Sequence, residues 1–316
     1  MHSNQKLNIG ISACLLGEKV RFDGGHKALT FANKILSQYV NFKPVCPEVG
    51  IGMSVPRKPI RLVEDESGVR LVDSRDINKD YTQAMNKFAT DKCSNLSGLN
   101  GFILTSKSPS CGMERMKVYD ADGNLIHRKG VGLFAKKLME SHPNLPVEED
   151  GRLNDAALRE NFISRIFVHA DWQKSVAPSD LFKDLVEFHS RHKYQIMAHS
   201  YQAYRDLGQL VANHQKLDYA EVKTLYFTRL MKALKNLAGR KKHCNVLMHL
   251  QGYFKRDISG NDKQELNNLI MQYRQGLIPL LAPLTLIKHF LKLHPNEYLE
   301  KQSYFSPYPL EMGLNG

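Results

Sequence analysis

The chain has 316 residues, of which 42% are hydrophobic, so it can bury ordinary cores and its length predicts two domains. Its net charge of +12 at pH 7 favours a polyanionic partner such as nucleic acid, although a basic surface can also serve solubility alone. The five cysteines form no CxxC pair, residues 1–8 lack an apolar signal core, and the longest apolar run (277–287) is too short for a membrane span. We therefore expect a soluble cytoplasmic protein without a disulfide framework or a membrane partner.

Short apolar strands alternate with helical stretches over residues 7–155, which predicts an α/β domain with a mostly parallel sheet. Core strands are predicted at 7–16, 42–47 and 101–108, and hairpins at 60–73 and 118–128. Helices are predicted over about 27–38 and 77–96.

Helical periodicity dominates from about residue 154 onward and predicts an all-α second domain. We predict a catalytic domain over 1–155, a connecting helix and linker over 156–178, and a helical domain over 179–316. Residues 151–316 hold 23 Lys and Arg against 15 Asp and Glu, compared with 21 against 17 in residues 1–150. The helical half therefore carries most of the positive charge.

Three cysteines follow the three predicted core strands: Cys14, Cys46 and Cys111. Because the carboxyl ends of neighbouring parallel strands meet at one sheet edge, we expect these thiols to converge and to hold a metal, either zinc or an iron–sulfur cluster. A lone cysteine is more often a small buried hydrophobic residue, and we interpret Cys93 and Cys244 in this way.

Polar residues beside the cysteines are candidates for catalysis. Glu48 lies two residues after Cys46, Ser108 lies three residues before Cys111, and Asp23 follows the first strand. A carboxylate beside an open metal position can activate water or transfer a proton. Capping or turn roles explain Glu48 and Ser108 equally well at this stage.

Three blocks of residues 6–155 resemble the thiouracil desulfurase family: SACLLGEKVRFDGGHK (12–27), VCPEVGIGMSVPRKPIRL (45–62) and SKSPSCGM (106–113). The second half, with FHSRHKYQIMAHSYQAYRDLGQLVA (188–212) and YRQGLIPLLAPLTLIKHFL (273–291), is similar to the helical YbgA-type domain that is often fused to it. Together the two halves resemble bifunctional enzymes that remove sulfur from 4-thiouridine in tRNA.

The resemblance implies a [4Fe-4S] cluster held by Cys14, Cys46 and Cys111, whose fourth iron takes the sulfur of the thiolated base in a redox-neutral hydrolysis. It also implies that Glu48 is the acid/base residue and that Ser108 positions substrate or water. Asp23 matches a family block without a defined role. The family's expected RYDG reads RFDG here, so Phe22 lacks the phenol hydroxyl.

A basic helical domain suits tRNA, which offers many phosphates. Residues 222–256 contain nine basic residues and no acidic one, and the same charge would also fit a solvated helix face. The candidate RNA contacts are Arg191, Lys193, Arg229, Lys232, Lys235, Arg240, Lys241 and Lys242. His189, His192 and His199 share a helix face, for which we favour a packed polar seam or an RNA contact over a second metal site.

Three functions thus compete. The leading hypothesis is a tRNA 4-thiouridine desulfidase. The first alternative is a desulfurase of free thiouracil, in which the helical domain serves oligomerisation or another partner. The second is a non-catalytic sensor whose cluster controls binding to RNA or protein.

Overall fold

The computed structural model describes residues 6–66, 68–213 and 218–314 and divides into two compact units, 1–155 and 156–316. The strands are β1 (Leu7–Ser12), β2 (Val40–Val45), β3 (Ile60–Asp65), β4 (Gly68–Asp73), β5 (Gly101–Leu104), β6 (Met116–Tyr119), β7 (Leu125–Gly130) and β8 (Val147–Glu149). The helices of the first unit are α1 (Thr30–Lys34), α2 (Pro47–Gly50), α3 (Thr82–Ser94) and α4 (Leu133–Ser141).

The first sheet has the order β2-β1-β5-β8 and is parallel throughout. Its inner strand β1 is buried on both faces near its end, with Ile9 and Ile11 on one face and Gly10 and Ser12 on the other. Such near-continuous burial is typical of parallel strands covered on both faces. The predicted α/β fold with a mostly parallel sheet is confirmed.

The second sheet has the order β4-β3-β6-β7 and contains the two predicted hairpins, β3–β4 and β6–β7. Gly123 adopts a φ of 93° in the second hairpin, a conformation that a residue without a Cβ reaches at little cost. The tip of the first hairpin includes Ser67, which lies outside the described residues.

The predicted helices of this unit are shorter in the structure. Helix α3 begins at Thr82 rather than near residue 77 because the preceding backbone pairs with β4: the N–H of Tyr81 donates to Leu71 O at 2.8 Å and that of Asp73 donates to Lys79 O at 3.0 Å. The predicted helix over 27–38 is α1 followed by a single 3-10 turn, Leu36–Gln38.

The second unit is mostly helical, as predicted. Its helices are α5 (Ala156–Ser175), α6 (Phe182–His199), α7 (Tyr201–Ala212), α8 (Tyr219–Leu234), α9 (Arg240–Gln251), α10 (Gly260–Gln275), α11 (Leu281–Leu293) and α12 (Glu297–Glu300). The predicted connecting segment, 156–178, lies inside this unit, where Trp172 of α5 stacks on Phe227 at 4.7 Å. Across the described residues, no helix combines the length and apolar character needed to cross a membrane.

We predict that the second unit loses stability as the pH falls. Burial lowers the pKa of His189, His199 and His243 to about 4, so these imidazoles stay neutral in the folded unit. In the unfolded chain they bind protons below the usual His pKa, which is about 6.5. The unfolded state therefore binds more protons between about pH 6.5 and pH 4. In this window the free energy of unfolding should fall by up to about 1.4 kcal/mol per pH unit for each histidine.

The measurement is urea unfolding at several pH values, followed by fluorescence of Trp172, the single tryptophan of the chain. His199→Asn keeps a donor for the carbonyl of Asn236 and should flatten the pH dependence, whereas His289→Asn, at an exposed position, should not. Equal slopes for the His199→Asn variant and the parent would contradict the assignment.

Candidate active site

Three cysteines lie at the carboxyl ends of three adjacent parallel strands. Cys14 follows β1 in a 3-10 turn, Cys46 follows β2 directly, and Cys111 lies in the loop after β5. All three line one cavity of about 510 Å³. The convergence expected from strand topology is therefore present. Cys93 and Cys244 do not line this cavity and are buried among apolar residues, as interpreted from the sequence.

The Cys111 loop is held by the beginning of α4. The backbone N–H groups of Gly132, Leu133 and Ala135 donate to carbonyls of the 109–112 turn at 2.8, 3.2 and 3.1 Å. These N–H groups lie at the start of the helix, where intrahelical acceptors are lacking. A Cβ at residue 132 would lie 2.5 Å from the carbonyl oxygen of Ser110, so only glycine permits this approach.

The three thiols form a mutually repulsive set when ionised. Burial, followed by the charge of Glu48, raises the pKa of Cys46 to about 12 and that of Cys111 well above its usual range. Burial also raises the pKa of Cys14, against a hydrogen bond from Thr105 that lowers it. A bound cationic metal centre reverses this balance, because coordination deprotonates a thiol.

The thiols of Cys14 and Cys111, which are buried, and of Cys46, which is half-buried, form a soft donor set on one cavity. In the described ranges of the chain, no group of three or more His, Cys, Asp or Glu side chains is spaced to hold a metal ion. An iron–sulfur cluster binds each thiolate through a different iron, and thiolates are its usual ligands. The chemistry of Cys14, Cys46 and Cys111 fits such a cluster.

Glu48 and Ser108 face each other in the same cavity. The Ser108 hydroxyl donates to Glu48 Oε1 at 3.3 Å and accepts the backbone N–H of Ser110 and of Cys111 at 3.2 and 3.1 Å. Glu48 Oε2 lies 3.4 Å from Cys46 Sγ and 3.9 Å from Arg57 Nη2. The carboxylate is thus placed to exchange a proton beside the cysteines.

Asp23 does not line the cavity. Its side chain is 49% exposed and accepts the backbone N–H of Gly25 at 3.0 Å, which stabilises the turn between Arg21 and Gly25. That hydrogen bond lowers the pKa of Asp23, with a further contribution from Arg21. The neighbouring Phe22 does line the cavity and is 42% exposed.

Family comparisons agree with this division into two units. A model of the 2-thiouracil desulfurase family matches residues 9–150, and a model described as a protein of unknown function (DUF1722) matches residues 193–309. The uncharacterized protein YbgA of Escherichia coli (strain K12) is 42% identical over 131 residues, which are 41% of this chain and 78% of that protein. The chain belongs to the YbgA family. Its YbgA-type domain is fused to an N-terminal domain of the 2-thiouracil desulfurase family.

Among solved structures, the chain is similar to a [4Fe-4S]-dependent thiouracil desulfidase, TudS (DUF523Vcz). The two are 27% identical with a TM-score of 0.38, over 49% of this chain and 98% of that one.

Two further residues of the desulfurase domain line this cavity but were not predicted as site residues from the sequence. Arg57 is buried beside Glu48 and donates to Val20 O at 2.9 Å. Lys27 forms an ion pair with Asp150 at 2.7 Å and a hydrogen bond with Ser106 Oγ at 3.1 Å. Both residues lie within the sequence blocks that resemble the desulfurase family, but a basic side chain alone does not predict which groups it contacts.

The candidate RNA contacts of the YbgA-type domain fall into two groups. Three are engaged by the domain itself: Arg191 pairs with Asp171 at 3.0 Å, Lys193 lies over three tyrosine rings at 5.4–5.9 Å, and Lys242 Nζ donates to His199 O at 2.7 Å. The other five are exposed and, among the described residues, have no carboxylate partner: Arg229, Lys232, Lys235, Arg240 and Lys241.

The three histidines that were predicted to share one face of α6 each contact a different partner. His189 Nδ1 lies 2.9 Å from Tyr226 Oη, His192 Nε2 lies 2.7 Å from Asp171 Oδ2, and His199 Nδ1 lies 2.6 Å from Asn236 O. This arrangement agrees with the packed polar seam. The carboxylate of Asp171, from α5, was not evident from the α6 pattern.

Proposed function

We propose that the desulfurase domain hydrolyses the C–S bond of 4-thiouridine in tRNA, giving uridine and sulfide. One observation carries the proposal: three cysteines from adjacent strands line the same cavity as the Glu48–Ser108 pair, in a domain of the 2-thiouracil desulfurase family. We place the protein in the cytoplasm, where such a substrate occurs and thiols stay reduced.

Cys14, Cys46 and Cys111 would hold a [4Fe-4S] cluster. When bound, a cluster with three protein ligands supplies an iron with an open position that prefers soft sulfur to hard oxygen. That preference favours the thiolated base over the oxygenated product.

The chain's own residues supply the proton transfers. Glu48 accepts a proton from the water that attacks C4 of the base, and Ser108, 3.3 Å from Glu48 Oε1, orients that water or the base. The new C–O bond replaces the C–S bond, and the sulfur leaves with the bonding electron pair. Both water protons end on sulfide, so the reaction needs no oxidant or reductant.

The YbgA-type domain is proposed to hold the tRNA. The exposed cations of α8 and of the first turn of α9 are free to contact phosphates, whereas Arg191, Lys193 and Lys242 already have partners. Phosphate contacts of this kind position an RNA without reading its sequence.

We expect the double substitution Arg229→Ala with Lys232→Ala to weaken tRNA binding. Each lost phosphate contact should reduce the slope of log affinity against log salt by about 0.7–0.9, so the double variant should lose about 1.4–1.8, because fewer counterions are released. The measurement is a salt titration of binding to unmodified tRNA. Lys292→Ala, an exposed change on α11, is the matched control and should leave the slope unaltered. An unchanged slope in the double variant would show that these α8 residues do not contact tRNA phosphates.

The direct test is anaerobic incubation of cluster-reconstituted protein with thiolated tRNA, followed by nucleoside analysis. Loss of 4-thiouridine with release of an equal amount of sulfide is the expected result. Turnover of free thiouracil alone would reject tRNA as substrate and favour the free-base desulfurase. An intact cluster with no turnover of either substrate would favour the sensor.

A further inference from the structure

The YbgA-type domain contains a cavity of about 400 Å³ that none of the functions above uses. Its volume falls within the range of small-molecule sites, which is about 300–1,000 Å³. Residues from α5, α6, α9 and α11 line it, together with Tyr273 of α10 and the segment around Tyr304 and Phe305. The cavity is therefore lined by segments that lie far apart in the sequence of the domain, from Ala157 to Pro307.

Three largely buried side chains on this cavity have polar atoms that no group of the described residues uses and that are open to the cavity. Asn161, His199 and Tyr273 are each less than one-tenth exposed. Asn161 uses Nδ2 for the carbonyl of Leu234 and His199 uses Nδ1 for that of Asn236. Within the described part of the chain, Asn161 Oδ1, His199 Nε2 and the Tyr273 hydroxyl have no hydrogen-bond partner. Acceptors and a hydroxyl that open into the cavity can bind a polar occupant.

The cavity also carries two cationic side chains, Arg240 and Lys288, and one carboxyl group, Glu160, whose pKa is raised by burial. Lys288 is partly buried, and neither it nor Arg240 has a carboxylate partner among the described residues. Burial lowers the pKa of Lys288, and no neighbouring charge opposes this shift. The guanidinium of Arg240 packs over Gly276, where a Cβ would lie 2.9 Å from Arg240 Nη1.

Two helix N-termini border the same cavity. Neither α9 nor α11 has a side-chain cap or an acidic residue in its first turn. In α9 three basic residues, Arg240, Lys241 and Lys242, occupy the positive end of the helix dipole, where basic side chains are unfavourable. An anion in the cavity would offset the dipole and the charge of Arg240, the one of these three residues that lines it.

We propose that this cavity binds a nucleoside monophosphate, either as a free nucleotide or as the terminal nucleotide of an RNA. The phosphate pairs with Arg240 and Lys288 near the two helix N-termini. Glu160, whose Oε1 accepts the Tyr308 hydroxyl at 2.7 Å, retains Oε2 for a ribose hydroxyl. The free acceptors on Asn161 and His199 favour a base with an amino group, such as adenine or cytosine. Apolar residues including Leu281, Leu284 and Phe305 cover the ring.

The test is calorimetric titration of the full chain with adenosine 5′-monophosphate at low salt, with adenosine, uridine 5′-monophosphate and inorganic phosphate as comparisons. We expect adenosine 5′-monophosphate to bind most tightly. Lys288→Met, which keeps the apolar stem, and Arg240→Gln should each weaken it at least about tenfold, because each removes a charge-assisted hydrogen bond to the phosphate. Lys292→Ala, on the same helix as Lys288, is the matched control.

Hydrogen–deuterium exchange locates the nucleotide. Protection should appear around 157–164, 238–243 and 278–288. Protection confined to the desulfurase cavity, no binding by any nucleotide, or equal affinity of the Lys288→Met and Lys292→Ala variants would overturn the proposal. Competition by tRNA with an intact 3′ end, but not by tRNA lacking its last nucleotide, would identify the RNA end as the source. Competition by neither tRNA would identify the free nucleotide.

The nucleotide proposal is independent of the desulfuration proposal. Lys288→Met should leave turnover of free thiouracil unchanged, and nucleotide binding is measured without any turnover. Failure of one proposal is therefore distinguishable from failure of the other.

Discussion

Replacing Cys14, Cys46 or Cys111 with alanine is expected to abolish iron binding and desulfuration together. Each cysteine comes from a different strand end and lines the same cavity, so none of the remaining thiols can take its place. The measurements are iron and acid-labile sulfide per chain after anaerobic reconstitution, and turnover of thiolated substrate. The loss should be complete for each single variant, because a cluster with only two protein ligands is poorly held.

Cys93→Ala is the matched control. Cys93 is 1% exposed on α3 and packs in the core with Met85 and Ala89, so its removal should lower stability by about 1–2 kcal/mol and leave iron content unchanged. Retention of full iron content by the Cys111→Ala variant would reject Cys111 as a ligand. Loss of iron in the Cys93→Ala variant would show that iron content reports folding rather than ligation.

Glu48→Gln should reduce turnover by about 10²–10⁴-fold while iron content is retained, as expected when a positioned acid/base group is removed. The amide keeps the size of the carboxylate and its hydrogen bond with Ser108, but it cannot accept a proton at physiological pH. The charge of Glu48 also raises the pKa of Cys46 and Cys111, so its removal eases thiolate formation and cannot by itself explain a loss of iron.

Glu18→Gln, an exposed change in the same desulfurase domain, controls for the removal of one negative charge. Single-turnover rates with both variants separate chemistry from substrate binding. Full activity in a Glu48→Gln protein with a complete iron complement would exclude the acid/base role.

The sequence predicted the convergence of the three cysteines because the relevant constraint is topological. Cys14, Cys46 and Cys111 each follow a strand, and parallel strands bring their carboxyl ends together without any information on side-chain packing. Glu48 lies in the loop of Cys46 and Ser108 in the loop of Cys111, so both line the same cavity as the cysteines. Asp23 lies in the loop that follows Cys14, but its carboxylate accepts the backbone N–H of Gly25 and does not line the cavity.

Contacts between distant segments could not be read from local patterns. Arg191 and Lys193 have the spacing of a phosphate-facing helix, but Asp171 of α5 and the tyrosines around Lys193 supply their partners. Lys242 belongs to a basic run and yet binds the last carbonyl of α6. The proposed nucleotide cavity could not be predicted from local patterns either, because its lining residues range from Ala157 to Pro307.

The positions of the three cysteines in the chain also determine when the proposed cluster could bind during folding. Cys14 and Cys111 are 97 positions apart in the chain, and they meet only after β1 has paired with β5. Cys46 joins them through the pairing of β1 with β2. A nascent chain therefore offers no preformed site for iron, unlike a compact CxxC motif. On the proposed ligation by the three cysteines, the desulfurase domain has to fold around its own core before it binds a cluster, and cluster insertion is expected to be the last step of its assembly.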